Sequence, residues 1–105
     1  MIKGNLFELI PGNLKREVFE PLVGKKHVRI ERIISNGHTS PDSGWYDQEQ
    51  NEWVTILKGE ASIAFEKGET VELGEGDYIE IPAHKKHKVI KTSSKSETIW
   101  LAVHY

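Results

Sequence analysis

Cysteine is absent from this chain of 105 residues, and methionine is nearly so, at one. Without cysteine there is no disulfide, no thiolate metal site and no cysteine nucleophile, so any metal would have to be held by nitrogen and oxygen donors. Long apolar runs are missing too. No segment approaches the roughly 18 apolar residues of a membrane span, and the opening MIKGNLFELIPGN lacks the apolar stretch of a signal peptide. A soluble, cytoplasmic protein with no membrane partner is expected. Charge of one sign is not in excess either: the formal net charge is −2, which offers no long-range attraction to phosphate backbones. The basic cluster HKKHK at 84–88 lacks interleaved aromatics and a broader basic face, so it reads as a solvated turn and nucleic acid is not an expected partner.

Helical periodicity is the last absence. Apolar residues alternate with polar ones, as on half-buried strands. In HVRIERII, Val28 and Ile30 alternate with Arg29 and Glu31 before the phase slips at Ile33 and Ile34, where a bulge is expected. EWVTILKG leads into EASIAFEKG, DYIEIP ends at Pro82, and TIWLAVHY places Ile99, Leu101, Val103 and Tyr105 on one face. Turn residues fill the gaps at Gly59, EKGET, LGEGD and TSSKSE. Short strands at close spacing with glycine-rich turns predict an antiparallel all-β sandwich or barrel, and 105 residues suffice for one domain. Two stretches break the pattern. The N-terminal NLFELIPGNLKREVFEPL accommodates a short strand or one turn of helix, and the loop Asn36 to Gly44 is expected to cross the barrel mouth.

Two spacings stand out. Glu52 is followed by six residues and then Gly59; Gly76 is followed by five residues, Pro82, and His87 five positions later. This pattern resembles the cupin superfamily, whose motifs can be written G(X)5HXH(X)3-4E(X)6G and G(X)5PXG(X)2H(X)3N. The resemblance spans Gly37 to Lys91, with a first-motif region at 37–59 and a second at 76–91. It implies a small antiparallel jelly-roll barrel filling residues 1–105 as a single cupin domain, similar to the small single-domain bacterial cupins. It also implies that Glu52 and His87 occupy metal-ligand positions. The chain departs from the motifs at Tyr46 and Gln48, which replace the two first-motif histidines, at His84, which replaces a glycine, and at Lys91, which replaces an asparagine.

Tyr46, Gln48, Glu52, Val54 and Ile56 share even parity, so on an extended strand they project to one face, and the apolar end of the row marks that face as the interior. A glutamate there is costly unless compensated. Three arrangements would do so: a divalent ion (Zn, Fe, Mn or Ni) held by Gln48, Glu52 and His87; a hydrogen-bond network among Tyr46, Gln48, Glu52 and His87; or a wetter position than parity suggests. An amide oxygen and a phenol are weak ligands, so a metal would be weakly held. His38, from the mouth loop, is a further candidate ligand. The first reading is a barrel that binds a small polar molecule or a weakly held divalent metal in its cavity, with turnover left unproven. The alternative is a metal-dependent enzyme of dioxygenase, isomerase or lyase type, with Tyr46 or His84 as proton donor. His27 and His104 read as ordinary strand positions. A homodimer is plausible through the N-terminal segment or an outer sheet face carrying Trp53 and Leu57.

Overall fold

Each alternating stretch forms a strand, and no helix occurs among the described residues of the computed structural model, which describes residues 1–12 and 14–105. In chain order the strands are β1 (Val18–Gly24), β2 (Arg29–Ser35), β3 (Glu52–Lys58), β4 (Ala61–Phe65), β5 (Thr70–Leu73), β6 (Tyr78–Ile81), β7 (His87–Thr92) and β8 (Thr98–His104). They assemble into a five-stranded sheet in the order β1-β2-β8-β3-β6 and a three-stranded sheet in the order β5-β4-β7, with every pair antiparallel. This is the all-β jelly-roll barrel that the motifs implied. Among the described residues no helix is long and apolar enough to cross a membrane.

The core forms because alternate residues of the two sheets face each other. Ile33, Val54, Ile56, Trp100 and Ala102 come from the larger sheet, and Ala61, Ile63, Phe65 and Leu73 from the smaller. Each fully buried aliphatic side chain contributes about 1.5–3 kcal/mol.

Two expectations are corrected. The phase slip at Ile33 and Ile34 is no bulge, because β2 keeps unbroken register with β8 from Arg29 to Ser35. Both isoleucines are buried because both faces of β2 are covered. On the outer face, the Arg32 guanidinium donates to the carbonyls of Leu6, Glu8 and Leu9 and to the Glu20 carboxylate at 2.7 Å, laying the N-terminal segment over the strand. The irregularity lies instead in β1, between Pro21 and Val23, where proline has no N–H to give to the ladder. The loop Asn36 to Gly44 does not cross the mouth. It runs along the open edge of β7: Ser40 N–H donates to the Val89 carbonyl, Val89 N–H donates to the Ser40 hydroxyl, and the Thr92 hydroxyl donates to the His38 carbonyl. An uncovered strand edge carries unpaired backbone groups, and this loop satisfies them.

The two motif glycines differ in what they demand. Gly59, at the β3–β4 turn, has φ of +89°, and a Cβ there would lie 2.5 Å from Thr98 Oγ1 and 2.8 Å from Thr98 Cα. Gly76 has φ of +86° but open space around it. Gly59→Ala should therefore combine left-handed strain of about 1–2 kcal/mol with overpacking of about 1–3 kcal/mol. Gly76→Ala should show about 1–2 kcal/mol of strain alone. Urea denaturation midpoints of the two variants measure the difference; equal losses would mean that the approach to Thr98 relaxes freely.

Candidate functional site

Glu52 opens β3, and the strand's even row of Glu52, Val54 and Ile56 faces the barrel interior. Antiparallel pairing with β8 sets His104 directly opposite Glu52. Pairing of β2 with the other side of β8 brings Glu31 diagonally beside His104, two residues along β2 from the Arg29–His104 register point. His87, at the start of β7, reaches across from the facing sheet. The outcome is a row of alternating acids and imidazoles. Glu31 Oε1 lies 3.1 Å from His104 Nε2, which lies 3.7 Å from Glu52 Oε2, while Glu52 Oε1 lies 3.4 Å from His87 Nε2. The Gln48 amide donates to the same Glu52 Oε1 at 3.4 Å. The row lines a cavity of about 860 Å³, and Ile33, Val54, Ile63, Ile81 and Trp100 supply its apolar lining.

The protonation of the row follows from its partners. His87 Nδ1 faces the Lys85 carbonyl at 2.8 Å while Nε2 faces the Glu52 carboxylate, so both ring nitrogens meet acceptors. Such a setting favours the doubly protonated ring. Burial alone would lower the His87 pKa, but the Glu52 hydrogen bond, the Lys85 carbonyl and the Glu52 charge together raise it. Burial likewise pushes Glu52 up, yet the His87 hydrogen bond, the charge interactions with His104 and His87, and the Gln48 amide outweigh it and hold the carboxyl below its ordinary value. On the far side, His104 Nδ1 is buried without a hydrogen-bond partner among the described residues. Nε2, which faces both carboxylates, is therefore the nitrogen that must carry a proton.

The structure brings together some of the sequence candidates and separates others. Gln48, Glu52 and His87 meet in the cavity wall. Tyr46 forms an isolated antiparallel bridge with His87 and sets its ring 5.9 Å from the imidazole, at the cavity edge and 44 % exposed. His38 does not line the cavity: its Nδ1 accepts from the Asn36 N–H at 2.9 Å and its backbone is pinned to β7. His84 is also outside, on a turn with its side chain 66 % exposed, where its Nδ1 meets Asp47 Oδ1 at 2.7 Å. Its φ of +64° explains why the motif has glycine there, and its N–H donates to the Gln48 carbonyl at 2.8 Å, tying the second-motif turn to the segment that leads into β3. Sequence reading missed Glu31 and His104. The signal was parity: His104 shares its row with Trp100 and Ala102, the buried row of β8, although the opposite row of Ile99, Leu101 and Val103 is more hydrophobic.

The donors do not make a good divalent-ion shell. Among the described residues, no three His, Asp or Glu side chains are gathered so as to hold a metal ion. The two Glu52 oxygens are turned to different imidazoles, and Gln48 offers a weak neutral oxygen at best. The set expected from the motif spacing, one carboxylate, one imidazole and one amide, falls short of a tight site, and the added imidazole and carboxylate of His104 and Glu31 are turned to each other and to Glu52.

Residues 33–104 match the sequence profile of the family described as the cupin domain. A protein of Ralstonia eutropha JMP134, described in its crystal structure as a candidate mannose-6-phosphate isomerase, shares 43% identity with 99% of this chain and 97% of its own covered, at a TM-score of 0.95. A cupin superfamily protein of Desulfitobacterium hafniense DCB-2 shares 21% identity and a TM-score of 0.74, with 90% of this chain and 82% of its own covered. A cupin of Methanocaldococcus jannaschii with a double-stranded β-helix fold shares 23% identity and a TM-score of 0.70 over 90% of this chain and 84% of its own. No curated protein matches the chain.

Two outcomes are expected from this geometry. Glu52, with its pKa lowered, contributes stability that is full above its ordinary value of 4.5 and lost as pH falls through the folded value. His87, with its pKa raised, contributes stability that is full below its ordinary value of 6.5 and lost as pH rises through the folded value. Wild type should thus exceed Glu52→Gln in unfolding free energy most between pH 4.5 and 6.5. A gap that is flat from pH 3 to 9 would show that the pair is not ionised. Separately, His84→Gly should leave stability unchanged or raise it by up to about 1 kcal/mol, because relief of the left-handed backbone offsets loss of an exposed contact. A drop of more than about 1 kcal/mol in chemical denaturation would instead make the Asp47 contact structural.

Proposed function

The chain belongs to the cupin domain family, and from that premise we propose that its barrel binds a small, hydroxyl-rich organic molecule against Gln48, Glu52, His87 and His104, without a resident metal ion. The observation that carries this reading is Glu52 itself: a carboxylate with its side chain 12 % exposed, shared by two imidazoles in the wall of a large cavity. Cupin domains often bind metal ions, but here the imidazoles supply the compensation a metal would. The wall offers carboxylate acceptors beside imidazole and amide donors, which suits hydroxyl groups that both give and accept hydrogen bonds. The apolar lining, with Trp100 and Ile63, suits the C–H face of such a molecule. The volume lies within the usual range for small-molecule sites, about 300–1,000 Å³.

A second reading is an isomerase acting on a hydroxy-carbonyl compound, and it rests on the likeness to the Ralstonia eutropha protein together with the paired acids and imidazoles. Glu52 would take a proton from the carbon beside the carbonyl and return it to the former carbonyl carbon, while His87 protonates the carbonyl oxygen and takes a proton back from the neighbouring hydroxyl as that becomes the new carbonyl.

Calorimetric and tryptophan-fluorescence titrations with a panel of hexoses and polyols test the first reading. A binder should be found whose affinity falls about 10- to 100-fold in Glu52→Gln, with the circular dichroism spectrum unchanged. Mass spectrometry of protein prepared without chelator should find metal well below one ion per chain, equally so in His87→Ala. Near-stoichiometric metal lost in His87→Ala would overturn the metal-free reading. Deuterium incorporation from solvent at the carbon beside the carbonyl of a bound sugar would establish the second reading, and binding without exchange would exclude it.

A further inference from the structure

The cavity's charged residues are unevenly matched. Four carboxylates line it, those of Glu17, Glu31, Glu49 and Glu52, against two permanent cations, Lys26 and Arg29. With the imidazoles uncharged, this leaves a surplus of two negative charges. A proton on His87 neutralises one of them. The cations are also partly committed or weakly placed: Arg29 Nε lies 3.8 Å from Glu31 Oε2, and both Lys26 and Arg29 are on the exposed rim. At the same rim Glu49 is exposed and makes no ion pair among the described residues.

A phosphate monoester needs the opposite arrangement, with cations or backbone N–H groups in surplus at one end of the site. A cleft lined by one sign of charge concentrates ligands of the other sign and repels its own. We propose that the site accepts only uncharged or amine-bearing hydroxyl compounds and rejects phosphorylated ones, an inference that rests on the polyol reading above. The related Ralstonia eutropha protein is described by a phosphorylated sugar. In this chain, the lining charge argues for a substrate of the same carbon skeleton class without the phosphate.

Three sugars and one anion probe the idea directly: D-mannose, D-glucosamine, D-mannose 6-phosphate and inorganic phosphate, titrated against the whole protein at low ionic strength. D-mannose or D-glucosamine should bind at least about tenfold more tightly than D-mannose 6-phosphate. The gap should narrow as salt is raised, because the repelling carboxylates at the rim are screened. Inorganic phosphate should neither bind nor raise the melting temperature. In Glu49→Lys, the ratio of affinity for D-mannose 6-phosphate to that for D-mannose should rise several-fold. Tighter binding of the phosphorylated sugar, or a phosphate-dependent rise in melting temperature, overturns the charge inference and leaves the polyol reading standing. Binding of none of the three sugars removes the polyol reading, and this inference falls with it.

Discussion

Glu52 stands between two sheets whose facing residues are mostly aliphatic, and an unpaired carboxylate in such a place would cost several kcal/mol. Much of the local arrangement answers that cost. The register of β8 on β3 is what places His104 opposite it, and the register of β2 on β8 supplies Glu31 as the second partner of that imidazole. The bridge between Tyr46 and His87 fixes the start of β7, so that the second imidazole arrives from the other sheet. A shift of either ladder by one residue would turn the partner outward and strand the charge.

The backbone devices that hold those registers lie at the turns, away from the chemistry. Gly59 lets the β3–β4 turn press against Thr98, whose hydroxyl donates to the Glu60 carbonyl. His84 occupies a left-handed position that most side chains avoid, and it is held by Asp47 and the Gln48 carbonyl. The Asn36 to Gly44 loop closes the β7 edge with backbone hydrogen bonds, which keeps His87 in place from the outside. The N-terminal segment, clamped by Arg32, covers the outer face of β2, whose inner face carries Glu31.

What could be read from the sequence divides along the same line. Turn glycines, Pro82 and alternating strands have local signatures, so the barrel and the inward row through Glu52 were legible. Partnerships across strands have none. Glu31 and His104 lie 73 residues apart, and their meeting depends on two registers that no local pattern encodes. The same limit explains the misplaced histidines. His38 and His84 are near the motifs in sequence, but one is turned to its own loop and the other to the solvent side of a turn. The double burial of Ile33 and Ile34 imitated a bulge because the segment covering β2 is held there by an arginine 24 residues beyond its Glu8 contact.

Tyr46 and Gln48 in place of histidines, and His104 beside Glu31, make sense as one change. An acid in a barrel wall can be compensated by a cation that several histidines share, or by imidazoles and an amide that bond to it directly. Tyrosine and glutamine at positions 46 and 48 weaken the first solution; an imidazole from β8, backed by its own carboxylate, fits the second. The two solutions leave different chemistry exposed. A shared metal offers an electrophile to the cavity, whereas the row of acids and imidazoles offers hydrogen bonds and mobile protons. Because the strand registers are set by turns and backbone ladders, the wall can pass from one to the other without moving the fold, and a likeness in fold therefore carries over the cavity but not what the cavity holds.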